Sequence, residues 1–182
     1  MVGRGSVASD DARVHPARET MLQILVLLLG IGIFAVVAYG DIRTRRIPNE
    51  LVVAILALAA FRIAISGDPT AALYTFVAMA ALSVATFLLF WRGLLGGGDV
   101  KLMVATGFLV GYHDVLGFLF VMSMSGGLMA VAIVAGDRLR GRPVAIPAPE
   151  EQKIPARLTV PYGVAIAAAG IVTLLVQSFP PG

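Results

Sequence analysis

Residues 21–39 read MLQILVLLLGIGIFAVVAY, a segment of nineteen residues without a charged side chain. At about 1.5 Å per residue, a helix of this length covers about 28 Å, close to the thickness of the hydrocarbon core of a bilayer. The segment is too long, and begins too far from the first residue, to be a typical signal peptide. It therefore predicts a membrane-spanning helix.

The rest of the chain repeats this pattern of long apolar runs separated by short polar connectors. Of its 182 residues, 58% are hydrophobic and 14% are charged, against about 45–50% and 25% in soluble domains. Five further apolar runs cover residues 51–65, 71–91, 102–112, 115–135 and 160–177. We therefore predict an all-α, polytopic membrane protein with six transmembrane helices. Residues 21–182 are expected to form one membrane domain, and residues 1–20 a flexible N-terminal tail.

The basic residues predict how the helices are oriented. If the N-terminus lies outside, the connectors after the odd-numbered spans hold ten of the fourteen Lys and Arg residues. Cytoplasmic loops are enriched in these residue types, so these connectors are assigned to the cytoplasmic face. The same asymmetry explains the net charge of +3, and no nucleic-acid partner is expected. The ten are Arg43, Arg45, Arg46, Arg92, Lys101, Arg138, Arg140, Arg142, Lys153 and Arg157.

The fourth apolar run is unusually short. Its eleven residues, 102–112, would cover only about 16 Å as a helix. One resolution is that the glycine-rich segment before it, residues 93–100, lies partly at membrane depth, where irregular backbone needs protein or a water-filled cavity around it. This segment would then hold Asp99 in a sheltered notch.

Few side chains in this sequence can carry chemistry. The chain has no cysteine, which excludes disulfides, thiolate zinc sites and thiol catalysis. His15 lies in the predicted tail and His113 in a predicted outer loop, so neither is expected to be catalytic. The three glycines at residues 96–98 are followed by an acid rather than by the Lys and Ser/Thr of a phosphate-binding loop. No metal or cofactor is expected.

Two acids on the predicted cytoplasmic face stand apart from the others. Asp41 directly follows the first span, and Asp99 follows the three glycines, so both lie at helix ends. Two carboxylates brought together near a low-dielectric boundary cannot both ionise easily, and they share a proton. One can then take a proton from water while the other gives one to a carbonyl oxygen. Structural roles stay open: Asp99 is suited to the N-cap of the fourth helix, and Asp41 to pairing with Arg43 or Arg45.

Other residues near these acids also have plain structural interpretations. Pro48, Asn49 and Glu50 are typical of a helix entrance, with Asn49 as the N-cap of the second helix. Lys101 is suited to extending its ammonium group toward the membrane surface.

Three segments at predicted cytoplasmic helix ends form an ordered pattern. The first is Asp41, Arg43, Ile47, Pro48 and Asn49; the second is Gly96, Gly98, Asp99, Lys101 and Leu102; the third is Pro161, Tyr162, Gly163, Ala165 and Ile166. Together they resemble the type IV prepilin leader peptidases, membrane aspartic proteases that share a Gly-x-Gly-Asp signature with presenilin-type enzymes. The resemblance covers about residues 21–178.

The resemblance implies that Asp41 and Asp99 are the catalytic pair. It also implies a reaction, the removal of a short basic leader from prepilins and pseudopilins by cutting after a glycine at the cytoplasmic edge of the bacterial inner membrane. The residues that it assigns to shaping the site are Arg43, Pro48, Asn49, Gly96, Gly98, Lys101, Pro161, Tyr162 and Gly163.

The resemblance is to a short form of the family. Longer members carry a cytoplasmic region with paired Cys-x-x-Cys motifs and methylate the new N-terminus. In this chain Asp41 follows the first span without such an insert, and there are no cysteines, so methyl transfer is not expected. The short form is similar to the peptidases of tight-adherence (Flp-type) pilus systems.

The alternative from another class is a small membrane transporter or channel component. Asp41 and Asp99 would then be ion or proton ligands. Transporters place such groups well inside their spans, whereas here the charge clearly within an apolar run is Arg62, near the predicted outer end of its helix.

Overall fold

The computed structural model describes residues 7–140 and 162–179, and within these ranges every regular element is an α-helix. The prediction of an all-α fold is confirmed for this part of the chain. The helices are α1 (Val7–Thr44), α2 (Asn49–Ser66), α3 (Pro69–Trp91), α4 (Gly97–Val110), α5 (Val115–Leu139) and α6 (Tyr162–Ser178). Helix α1 includes residues 7–20 of the predicted N-terminal tail.

Four of these helices are long and apolar enough to cross a membrane, so the protein is a multi-pass membrane protein. The candidate spans are Thr20–Thr44 of α1, Asn49–Ser66, Pro69–Trp91 and Val115–Gly136 of α5. Helices α4 and α6 are shorter, at 14 and 17 residues, or about 21 and 26 Å. Helix α4 begins at Gly97, so the last glycines before Asp99 are helical rather than irregular.

The two short helices form the centre of the bundle. Helix α4 packs against α2, α3, α5 and α6, and α6 packs against α1, α4 and α5. Buried residues follow one another along both helices, including Leu102, Leu109, Ile166 and Ala169. Surrounding protein therefore covers much of both helices, and their length need not match the bilayer thickness.

Helices α1 and α6 are antiparallel, and large side chains of one lie over glycines of the other. A Cβ at Gly30 would lie 2.6 Å from Leu174 Cδ1, and one at Gly170 would lie 2.5 Å from Phe34 Cζ. Residues 30, 34 and 41 of α1 face residues 174, 170 and 163 of α6, respectively. The spacings of four and seven residues are therefore the same in both helices, in opposite directions. This register brings Asp41 over Gly163.

Candidate active site

Asp41 lies near the C-terminal end of α1, and it is buried, with 5% of its surface exposed. The backbone N–H of Val164, in the first turn of α6, donates a hydrogen bond to Asp41 Oδ2 at 3.2 Å. The first four N–H groups of a helix have no partner within it, and this end of the helix favours a negative charge. The α6 N-terminus therefore fixes one carboxylate oxygen of Asp41.

Gly163 leaves the space that Asp41 occupies. A Cβ at this position would lie 2.8 Å from both Cγ and Oδ2 of Asp41 and 3.0 Å from its Cβ. The Asp41 Cβ is fixed by the α1 backbone and cannot move away by side-chain rotation. Any larger residue at 163 would therefore displace Asp41 or separate α1 from α6.

Asp99 is half-buried in the first turn of α4, three residues after the N-cap. The N-cap is Gly96, so the hypothesis that Asp99 itself caps the helix is wrong. The Asp99 carboxylate instead bonds to the backbone of Gly96, as the acid of a capping box does when it accepts from the N-cap N–H. A Cβ at Gly96 would lie 2.8 Å from Asp99 Oδ2, so this glycine lets the carboxylate fold back.

The two carboxylates interact electrostatically. Burial raises the pKa of Asp99, the negative charge of Asp41 raises it further, and the hydrogen bond with Gly96 lowers it, which together give a pKa of about 6. Asp99 lies outside the four candidate spans. The structure therefore brings Asp41 and Asp99 to the same end of the bundle, with Asp99 about half-protonated at pH 6.

Arg43, which belongs to the first motif, contacts Tyr39 on the surface of α1. Arg43 donates a hydrogen bond to the hydroxyl of Tyr39, and its guanidinium carbon lies 5.8 Å from the centre of that ring. Both side chains are exposed. Arg43 is thus held beside the aromatic ring on the surface of α1, at the same helix end as Asp41.

Lys101 and Asn49 join the starts of α4 and α2. Lys101 Nζ donates to Asn49 Oδ1 at 3.3 Å. The expectation that Asn49 caps α2 is wrong, because Pro48 occupies the N-cap position with an extended backbone. Lys101 has a specific partner that ties the helix of Asp99 to its neighbour.

The remaining motif residues lie around this centre. Gly98 faces Ile47, since a Cβ there would meet Ile47 Cβ at 3.6 Å, an ordinary contact. Tyr162 begins α6 and faces α5, because a Cβ at Gly126 would lie 3.6 Å from its Cε1. Pro161 lies outside the described residues.

The residues alone did not point to Val164 or to Phe90. The main-chain N–H of Val164 contacts Asp41 whatever its side chain, so the only available signal was its place in the first turn of a helix. The Phe90 ring lies against Gly97, whose Cβ would approach Cε2 at 3.3 Å. Among the residues that the structure describes, no group of three or more His, Cys, Asp or Glu side chains could hold a metal ion.

The sequence is similar to known proteins across this region. The sequence model of the type IV leader peptidase family matches residues 28–131, which include both aspartates. A prepilin leader peptidase/N-methyltransferase of Bacillus subtilis (strain 168) is 28% identical over 155 residues, which are 85% of this chain and 56% of the relative. The chain thus spans about half the length of this curated relative. No solved structure matches the chain.

Proposed function

Because the chain belongs to the type IV leader peptidase family, we propose that it is a membrane aspartic endopeptidase that removes the leader of type IV, Flp-type prepilins. Asp41 and Asp99 are the catalytic pair in this proposal. The observation that carries it is the convergence of two acids from distant parts of the chain on one site, where the charge of one raises the pKa of the other. Two carboxylates that share one proton are the minimum machinery for aspartic proteolysis.

The geometry supports a division of roles between the two acids. Asp41, at the positive end of α6, acts as the base and takes a proton from a water molecule, whose oxygen attacks the carbonyl carbon of the scissile peptide bond. Asp99 gives its proton to the carbonyl oxygen, forming a tetrahedral diol. The proton on Asp41 then passes to the leaving nitrogen as the C–N bond breaks, and one diol hydroxyl proton returns to Asp99. The products are a carboxylic acid and an amine, and the dyad regains its starting state.

The substrate class follows from the place of the site at the end of an apolar bundle. A prepilin has an apolar helix that can lie in the bilayer beside α1–α6, and its basic leader would stay in water on the aspartate side. We propose that all six helices of residues 21–182 lie across the bacterial inner membrane, with the N-terminus outside and the aspartates at the cytoplasmic face. The basic residues after α1 support this orientation.

Co-expression with a prepilin encoded beside this chain tests the proposal. We expect a shortened pilin with the wild-type protein and the intact precursor with Asp41→Asn or Asp99→Asn, because each variant removes one proton-transfer group but keeps the side-chain shape. Glu50→Gln is the matched control, since Glu50 is an exposed acid at the same end of the bundle.

Cleavage by either aspartate variant at the wild-type rate would contradict the assignment of the dyad. An intact precursor with the wild-type protein and with Glu50→Gln, when the prepilin is inserted in the same membrane, would instead favour the transporter alternative.

A further inference from the structure

A connector of four residues, 45–48, runs from the end of α1 to the start of α2. It begins four positions after Asp41, and its third residue, Ile47, lies against Gly98, the residue before Asp99. The connector therefore reaches from the helix end that carries one acid to the helix start that carries the other.

The connector begins with an unusual backbone conformation. Arg45 has a φ of 51° and is, among the described residues, the non-glycine residue with a positive φ. A side chain with a Cβ disfavours this left-handed region. The backbone N–H of Arg45 donates to the carbonyl of Asp41 at 3.0 Å, which is the hydrogen bond of a left-handed helix cap. The cap that ends α1 thus closes on the main chain of Asp41 itself.

The rest of the connector is restricted as well. The Thr44 hydroxyl lies within hydrogen-bond distance of two carbonyl oxygens, 2.9 Å from that of Gly40 and 3.4 Å from that of Arg46, so it joins the last turn of α1 to the connector. Pro48 has a ring-fixed φ of −61°. A residue before proline is held to extended conformations, and the branched Cβ of Ile47 restricts its side chain too. The connector is therefore stiff for its length.

Ile47 makes the contact with α4. It is half-buried and packs against the hydrophobic core of the bundle. Its Cβ, Cδ1 and Cγ1 would lie 3.6, 3.8 and 4.0 Å from a Cβ at Gly98, which are ordinary van der Waals distances. Because Gly98 has no side chain, Ile47 faces the main chain of α4 directly beside Asp99. The contact therefore supports the first turn of α4 without crowding it.

We propose that residues 45–48 form a rigid spacer between the two acids, in which Ile47 is a positioning residue that sets how closely Asp99 approaches Asp41. Helix α4 packs mainly against α2, α3, α5 and α6, so α1 reaches the start of α4 through this spacer. The proposal rests on the proposed function, because it takes the two acids as the working pair. Two carboxylates share a proton only when they lie close together, so their separation decides whether the pair works.

The separation can be measured without any substrate. The chain has no cysteine, so Ile42→Cys and Lys101→Cys add a unique pair of spin-label sites at exposed positions, one residue after Asp41 and two after Asp99. Pulsed electron paramagnetic resonance of the full chain in reconstituted membranes then gives the distance distribution. Ile47→Ala keeps only the Cβ of the three contacting atoms, and we expect a longer and broader distribution. Ile47→Val keeps the branch at Cβ and is expected to restore the wild-type distribution.

Cleavage in unlabelled protein measures the functional consequence. Ile47→Ala should lower kcat for a prepilin about tenfold, since a displacement of about 1 Å costs about 100-fold and a smaller shift is expected here. KM should stay unchanged, because both acids remain and only their alignment in the transition state is lost. Ile65→Ala is the matched control, because Ile65 is an exposed isoleucine near the far end of α2. It should change neither kcat nor the distance distribution.

Two variants of Arg45 test the backbone of the spacer separately from its side chains. Arg45→Asn and Arg45→Val lose the same positive charge, but asparagine adopts a left-handed backbone much more readily than a β-branched residue does. We expect Arg45→Val to show a broader distance distribution and a kcat about tenfold below that of Arg45→Asn.

An Ile47→Ala protein with the wild-type distance distribution would overturn the proposal, whatever its cleavage rate. So would equal distances and rates for Arg45→Asn and Arg45→Val, which would show that the left-handed backbone does not matter. The distance measurement needs no prepilin. Its failure would therefore leave the losses expected for Asp41→Asn and Asp99→Asn intact, and a failure of the peptidase proposal would leave the distances unchanged.

Discussion

Asp41 is held by residues far away in the chain, whereas Asp99 is held by its own helix. The donor to Asp41, Val164, lies 123 residues further along the sequence, and the space for its side chain depends on Gly163 of the same helix. Asp99 bonds to the backbone of Gly96, three residues before it, so both residues of this contact lie at the start of α4. One acid of the pair is therefore positioned by helix packing and the other by helix capping.

This difference predicts different sensitivities. Anything that shifts α6 against α1 moves Asp41, because the antiparallel register of the two helices sets its position. The Asp99 carboxylate depends instead on the backbone of the glycine turn, and its pKa of about 6 means that its charge changes around pH 6. Substitutions and pH changes can therefore reveal the contribution of each acid to cleavage separately.

Among substitutions of the residues that position the two acids, the largest effect is expected at Gly163, on the Asp41 side. Gly163→Ala places a Cβ 2.8 Å from Asp41 Cγ, and a displacement of about 1 Å costs about 100-fold in rate. Cleavage of a reconstituted prepilin measures this loss. Gly126→Ala is the control, because its Cβ would make ordinary contacts of 3.6 and 3.7 Å with Tyr162 and Ala165. Equal rates for the two variants would show that Gly163 does not position Asp41.

The pH dependence of cleavage is expected to follow Asp99. Its pKa of about 6 means that the protonated acid is lost as pH rises, so the rate should fall about 50-fold between pH 6 and pH 8. A rate that is constant over this range would contradict the role of Asp99 as the acid.

The stability of the folded protein should also depend on pH through Asp99. The folded state holds the Asp99 proton more tightly than the unfolded state, so the stability that this proton contributes is fully present below about pH 4 and is lost as pH rises through 6. Asp99→Asn should accordingly melt at the same temperature as wild type at pH 4 but at a higher temperature than wild type at pH 8.

A smaller effect is expected at Gly96, on the Asp99 side. Gly96→Ala crowds Asp99 Oδ2, but the carboxylate can rotate away, so the loss should be about tenfold or less, of the order of one charged hydrogen bond. The hydrogen bond with Gly96 lowers the pKa of Asp99, so its loss should move the pH profile upward. The same cleavage assay at several pH values measures both changes. Gly127→Ala, at a position with no atom within 4 Å of the added Cβ, should change neither.

The smallest effect is expected at the link between α4 and α2. Lys101→Met removes the hydrogen bond to Asn49 Oδ1, whose length of 3.3 Å and exposure indicate a weak interaction. We expect a loss of about threefold in rate, with Lys101→Gln closer to wild type because its amide can still donate. A loss as large as that of Gly163→Ala would show that Lys101 takes part in the chemistry itself.

The sequence predicts the long helices and the motif carriers better than the contacts between them. Apolar runs locate α2, α3 and α5 closely because lipid-facing helices are apolar on every side. The fourth apolar run begins at residue 102, whereas α4 begins at Gly97. The difference arises because a search for apolar residues leaves out Gly97, Asp99 and Lys101, although they are helical.

Contacts between distant helices left no such signal in the chain. The packing of Gly163 on Asp41 depends on the register of α1 and α6, and a single sequence does not reveal which glycine of α6 faces which residue of α1. The resemblance to leader peptidases marked Gly163 as part of a motif, and the structure supplies a physical reason for a glycine at that position.

The most direct measurement of the dyad is the prepilin cleavage rate of wild type, Asp41→Asn, Asp99→Asn and the double variant in the same reconstituted membranes. If the two acids share one proton and act as a unit, each single variant should lose at least about 10³-fold, and the double variant should lose no more than either one. A double variant whose rate loss is the product of the two single losses would contradict the account. So would a single variant that still cleaves at the wild-type rate.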